Sequence, residues 1–156
     1  MSYDGYRIPK KEIVVEVLLV SSSLPQKQAL LLDAITKTGQ PETLSEYLKR
    51  DLTFIPSKKF VSGINTNLNV FIFYNINRIH YIREIEKTAT GKNPELLYLS
   101  LVNNQNMKLS IPDEIKDQYS RVMDYLNNKS MFLQFIFHGS RIFINKNSID
   151  SLSFVR

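Results

Sequence analysis

The chain uses one phrase twice. "VFIFYNINRIHYIRE" runs from Val70 to Glu84, and "RIFINKNSIDSLSFVR" from Arg141 to Arg156. Each holds an apolar run, then Asn-x-Asn-x-Ile, then a second apolar run. A repeated phrase constrains a fold strongly, because the architecture must house the same local chemistry in two places. The match extends upstream. Leu44-Ser45-Glu46-Tyr47-Leu48 falls on Val122-Met123-Asp124-Tyr125-Leu126, 78 positions later, and Phe54 falls on Phe132 at the same offset. Ile72, Phe73, Asn75, Asn77 and Ile79 fall on Ile142, Phe143, Asn145, Asn147 and Ile149 at an offset of 70. Leu19-Val20 falls on Leu101-Val102 at 82. The parts keep one order: apolar strand, short link, Tyr-Leu helix, Phe-rich strands, Asn hook.

This order predicts an α+β fold of two tandem small β-rich units. Each would be a strongly bent sheet or small barrel carrying one short helix. Residues 1–12 form an N-terminal segment, 13–86 the first unit, 87–94 a linker and 95–156 the second unit. The linker "KTATGKNP" is polar and carries a Gly and a Pro, as connecting segments do. Units this small lie near the lower limit for folding alone, so the two are expected to pack together or to share an extended sheet.

The local patterns give the elements. "EIVVEVLLV" is rich in β-branched residues and reads as a strand, and "ALLLDAITK" is placed as a strand by analogy with "NMKLSIP". "QPETLSEYLKR" opens a helix with Pro41 and Glu42 and lines up Leu44, Tyr47 and Leu48 on one face. "IPDEIKDQYSRVMDYLNN" reads as a longer version, with Ile115, Tyr119, Val122, Met123 and Leu126 as its stripe. "NVFIFY", "MFLQFIF" and "RIFIN" are strands mostly apolar on both faces, which suits sheets covered on both sides or a closed small barrel whose outer face meets a partner. Asn75, Asn77, Asn145 and Asn147 interrupt strands, and Asn bonds to nearby backbone in tight turns. They are read as a structural hook.

Val122, Asp124, Tyr125, Leu126, Asn127 and Phe132, followed by "FINK" at Phe143, Ile144, Asn145 and Lys146, resemble small SH3-like and Sm-like bacterial β-domains. The resemblance covers most of the second unit and part of the first. It implies a small bent barrel, and it brings in RNA binding as an alternative function.

Composition excludes several chemistries. The 156 residues contain no cysteine, so disulfides, thiolate nucleophiles and Cys-based zinc sites are ruled out. The five glycines are dispersed, whereas phosphate-cradling loops need them clustered. His80 and His138 have no further ligands at metal spacing. His80 lies in a strand beside Tyr81, and His138 precedes Gly139 at a hairpin turn. Asp113, Glu114 and Asp117 crowd a helix start, where the dipole favours them. No catalytic constellation emerges, and neither a cofactor nor a metal is expected. The N-terminus lacks signal-peptide logic and no apolar run is long enough to span a bilayer. The expectation is a cytoplasmic bacterial protein without membrane insertion.

The formal charge of +5 comes from scattered lysines and fits an ordinary solvated surface. Basic and aromatic residues interleave in "YNINRIHYIR", where Tyr74 and Tyr81 alternate with Arg78, His80 and Arg83. The corresponding stretch of the second unit holds Ile144, Ser148, Asp150, Ser151 and Ser153 instead. "SKKFVSGINTNLN" reads as an extended loop of the first unit, carrying Lys58, Lys59 and Phe60. Function is therefore expected where the copies differ. The leading expectation is a non-enzymatic regulatory protein that binds a protein partner through sheet edges and this loop, with self-association as a companion property. The alternative is RNA binding by Lys58, Lys59, Arg78 and Arg83.

Overall fold

The computed structural model describes residues 10–33, 39–53, 60–65, 67–86 and 96–154. It corrects the expected fold class. Among the described residues the chain is mainly β, with ten antiparallel strands in one continuous sheet and three short α-helices. The strands are β1 (Lys10–Leu19), β2 (Gln26–Asp33), β3 (Phe60–Asn65), β4 (Val70–Asn75) and β5 (Ile79–Glu84). They continue with β6 (Leu96–Leu101), β7 (Asn106–Ser110), β8 (Phe132–Phe137), β9 (Ser140–Asn145) and β10 (Ile149–Phe154). The helices are α1 (Leu44–Thr53), α2 (Asp113–Gln118) and α3 (Val122–Leu126).

Spatial order is β10-β6-β7-β8-β9-β5-β1-β2-β3-β4. The first half places its strands as 5-1-2-3-4, and the second half repeats that order as 10-6-7-8-9. What joins them is a strand pairing. Tyr81, Ile82 and Arg83 of β5 lie opposite Ile144, Phe143 and Ile142 of β9. The expected pair of separately bent sheets is therefore one sheet that runs through both halves.

The core follows from this junction. Side chains alternate across a strand, so β5 and β9 each feed both faces. On one face Ile82 and Phe143 join Val15, Val17, Leu44 and Leu48 in one cluster. On the other, Tyr81 and Ile144 join Leu18, Leu97, Leu99 and Phe135 in a second. Each cluster thus contains residues from both halves. That explains the apolar residues on both faces of β5 and β9: Tyr81, Ile82, Ile142, Phe143 and Ile144 are all buried.

The repeat is visible atom by atom. The backbone N–H of Ser62 donates to the Tyr47 hydroxyl at 3.1 Å, and that of Gln134 donates to the Tyr125 hydroxyl at 2.6 Å. Val17 lies opposite Ile82, and Leu99 opposite Leu152. Phe60 lies opposite Asn75, and Phe132 opposite Asn145. The last pairing corrects a sequence match. The counterpart of Phe132 is Phe60, whereas Phe54 lies outside the described residues. The segment read as an extended loop contains strand β3.

The long second helix is also corrected. It is two helices separated by Tyr119, Ser120 and Arg121. Tyr119 and Arg121 are extended, with φ −122° and −132°. Tyr119 instead meets the Tyr125 ring at 5.3 Å between centroids. The β8–β9 turn is a two-residue hairpin with φ 51° at His138 and 79° at Gly139. Both values are left-handed, as tight hairpins demand.

Candidate interaction edges

The two hooks are built alike. After β4 and after β9 the chain enters a 3-10 turn, Ile76–Arg78 and Lys146–Ser148. The side-chain oxygens of Asn75 and Asn145 accept the backbone N–H of Asn77 and Asn147, both at 3.0 Å. This satisfies a donor that would otherwise be stranded at the turn.

Their surroundings differ. Asn145 is fully buried at the junction, where its Nδ2 donates to the carbonyls of Ile76 and Ile79 at 3.0 and 3.1 Å. The second hook thus clamps the first. His80 completes the contact, with Nδ1 2.7 Å from Ser148 Oγ and both side chains buried. Burial, and then the Arg78 charge, hold the His80 pKa below its ordinary value. The folded chain therefore favours neutral His80, while the unfolded chain takes up a proton near pH 6.5. Between the lowered folded value and about 6.5 the unfolded state binds more protons. Stability contributed by His80 is present above that window and is lost as pH falls through it. Urea midpoints for the wild type are expected to drop from pH 7 to pH 5.5 by more than those of His80→Gln. Equal drops would show that His80 is not the group responsible.

The other expected site residues divide. Lys58 and Lys59 lie outside the described residues. Arg78 is exposed on the first hook. Arg83 is committed within the chain, reaching Glu16 at 2.7 Å and lying 6.0 Å from the Phe137 ring centroid. Phe60 is 49% exposed, at the start of β3. These residues do not form one basic surface: His80 and Arg83 face the internal junction, while Phe60 and Arg78 face outward.

What sequence reasoning missed is the outer side of β4. Among the described residues, β4 pairs with β3 alone and β10 with β6 alone, so they are the sheet's two edges. Phe71 and Phe73 share a face with Phe60, since Phe60, Ser62 and Ile64 oppose Asn75, Phe73 and Phe71. Phe73 is 45% exposed and Phe71 is 40% exposed. The counterparts of Phe60 and Phe73 are Phe132 and Phe143, which are 5% and 3% exposed. The available signal was the apolar outer face of "VFIFY", the same pattern that "RIFIN" buries in the junction.

Elsewhere, a cleft of about 320 Å³ lies between α1 and the α2–α3 pair, with Leu48, Tyr119, Phe132 and Phe143 on its walls. Among the described residues, no three of His, Cys, Asp or Glu gather at metal-binding distance, and no helix is long and apolar enough to cross a membrane. No protein-family model, curated protein or solved structure matches the chain.

Proposed function

We propose that this chain is a non-enzymatic interaction protein that takes a protein partner along a sheet edge, with β4 as the working strand. One observation carries the reading. The aromatic pair Phe60 and Phe73 stands exposed at the β3–β4 edge, while its repeat-related pair is buried in the cluster with Leu44, Leu48 and Ile82 of the first half. An edge strand offers unpaired backbone groups, and apolar side chains beside it supply the affinity that hydrogen bonds alone do not. The chain already meets this need once internally, where β5 covers β9.

The placements favour a protein strand over RNA as the occupant. Arg83, one of the groups expected to bind RNA, is engaged with Glu16. The test is capture from the source cell extract by the wild type, by Phe60→Asp/Phe73→Asp, and by Leu24→Asp as a control on the exposed β1–β2 turn. A partner retained by the wild type and the control but lost by the double variant is the expected result. Identical sets on all three baits would refute the edge reading. Captured RNA that washes off steeply with salt would replace it with the alternative.

A further inference from the structure

The internal junction specifies what fits the free edges. It is heterologous: the fifth strand of one half lies against the fourth strand of the other. The chain ends its sheet with the remaining members of those two classes, β4 of the first half and β10 of the second. From the repeat of strand order and register, we infer that β10 of one copy pairs with β4 of a second copy in the register of β5 on β9. Self-association is therefore head-to-tail. This rests on reading β4 as a working edge, and it names the partner as a second copy of this chain.

Carrying the register across gives definite pairs. Tyr81–Ile144, Ile82–Phe143 and Arg83–Ile142 become Ser151–Tyr74, Leu152–Phe73 and Ser153–Ile72. Leu152 is half-buried, whereas its counterpart Ile82 is fully buried. Val122 and Leu126 of α3 are likewise half-buried, while Leu44 and Leu48 of α1 are buried in the cluster that Phe132 and Phe143 enter. The second half thus has the same apolar surface as the first, without its aromatic cover. Phe60 and Phe73 of another copy have the shape and position to supply it.

Polar groups match as well. Asn145 reaching Ile76 O and Ile79 O becomes Asn75 reaching Lys146 O and Ile149 O. His80 against Ser148 becomes Asp150 against Arg78. Both of those residues are exposed, and their charges are opposite. One step along the strands the internal junction holds Glu84 and Arg141, the latter paired with Glu114. The matching position pairs Phe154 with Phe71, which are 38% and 40% exposed. The contact between copies thus has an ion pair where the internal junction has the neutral His80–Ser148 pair, and an aromatic pair one step further along. A heterologous contact repeated in this way closes into a ring or continues as a filament.

The experiment uses purified full-length chain and light-scattering mass across a dilution series. The wild type is expected to exceed the 18.1 kDa monomer and to fall toward it on dilution. Arg78→Glu and Asp150→Arg each place like charges opposite one another, and each is expected to yield monomer with an unchanged circular dichroism spectrum. Mixing the two monomeric variants restores complementary charges at both edges, so assembly is expected to return. The Arg78→Glu/Asp150→Arg double variant is expected to assemble alone. A wild type that stays monomeric at every concentration overturns the inference, and the capture experiment with Phe60→Asp/Phe73→Asp then decides the edge reading separately. Assembly that survives both single variants and Phe73→Asp also overturns it, because it uses another surface.

Discussion

Phe143→Ala is expected to lower the unfolding free energy by about 3–5 kcal/mol, the range for emptying a buried phenylalanine site. Phe73→Ala at the repeat-related position is expected to cost less than about 1 kcal/mol in the dissociated chain, as exposed substitutions do. The side chains are the same, and so are their positions after the turn of a hairpin. What differs is the cover, which Ile82 of β5 and Leu44 and Leu48 of α1 give to Phe143. Phe143 lies opposite Ile82 and packs in the cluster with Val17, Leu48 and Phe132. Removing it opens a cavity at the seam between the halves, which neither half can close alone. Urea unfolding of dilute protein measures both changes, with an unchanged m-value indicating that the cooperative unit is intact. Equal losses for the two variants would mean that the β4 edge is covered in the monomer.

The pairing of the halves explains what could and could not be read from the sequence. The repeat was legible because turn chemistry and a few anchoring side chains recur. Tyr47 and Tyr125 each hold the third strand of their half, β3 and β8, through the hydroxyl, and Asn75 and Asn145 each close the same turn. The hairpin at His138-Gly139 was legible for the same local reason. The single sheet was legible only as an alternative to two packed units. It depends on Tyr81–Arg83 meeting Ile142–Ile144 across a long stretch of chain, and no local pattern encodes that register. The doubly apolar strands were the trace of it, and they pointed to cover on both faces without naming the cover.

Other misses also have local causes. Phe54 was matched to Phe132 because a constant offset was carried through a stretch where the first half is longer; strand pairing selects Phe60 instead. The apolar stripe from Ile115 to Leu126 read as one helix, since the spacing survives the break. The extended backbone at Tyr119 and Arg121 interrupts it; Ile115, Tyr119, Val122 and Leu126 still pack on the core, whereas Met123 is exposed and Tyr125 takes the buried place. At the candidate site, basic and aromatic residues adjacent in sequence are divided by the strand alternation and the hook. Arg78 is turned outward while His80 is buried against Ser148. Sequence proximity therefore overstated the basic patch, and the exposed aromatic edge was underweighted.

Asn145 gives the second large effect and separates the turn from the clamp. Its Oδ1 serves the turn by accepting from Asn147, and its Nδ2 serves the junction by donating to two carbonyls of the first hook. Asn145→Ala removes both functions in a fully buried place and is expected to cost about 2–4 kcal/mol, since buried groups left without partners cost about 1–3 kcal/mol each. Asn75→Ala removes only the turn contact in the dissociated chain and is expected to cost about 1 kcal/mol, as loss of a capping side chain does. Aspartate isolates the clamp. At position 75 it preserves the turn acceptor, so Asn75→Asp is expected to be nearly neutral. At position 145 it sets a buried carboxylate against two carbonyl oxygens, so Asn145→Asp is expected to destabilise at least as much as alanine despite its matching shape. Urea unfolding of the four variants checks this. An Asn145→Asp variant as stable as the wild type would remove the donor clamp from the account, leaving apolar packing to hold the halves together. If the order holds and the purified chain assembles, Asn75→Asp should be well folded yet impaired in assembly, because the same donors are then required between copies.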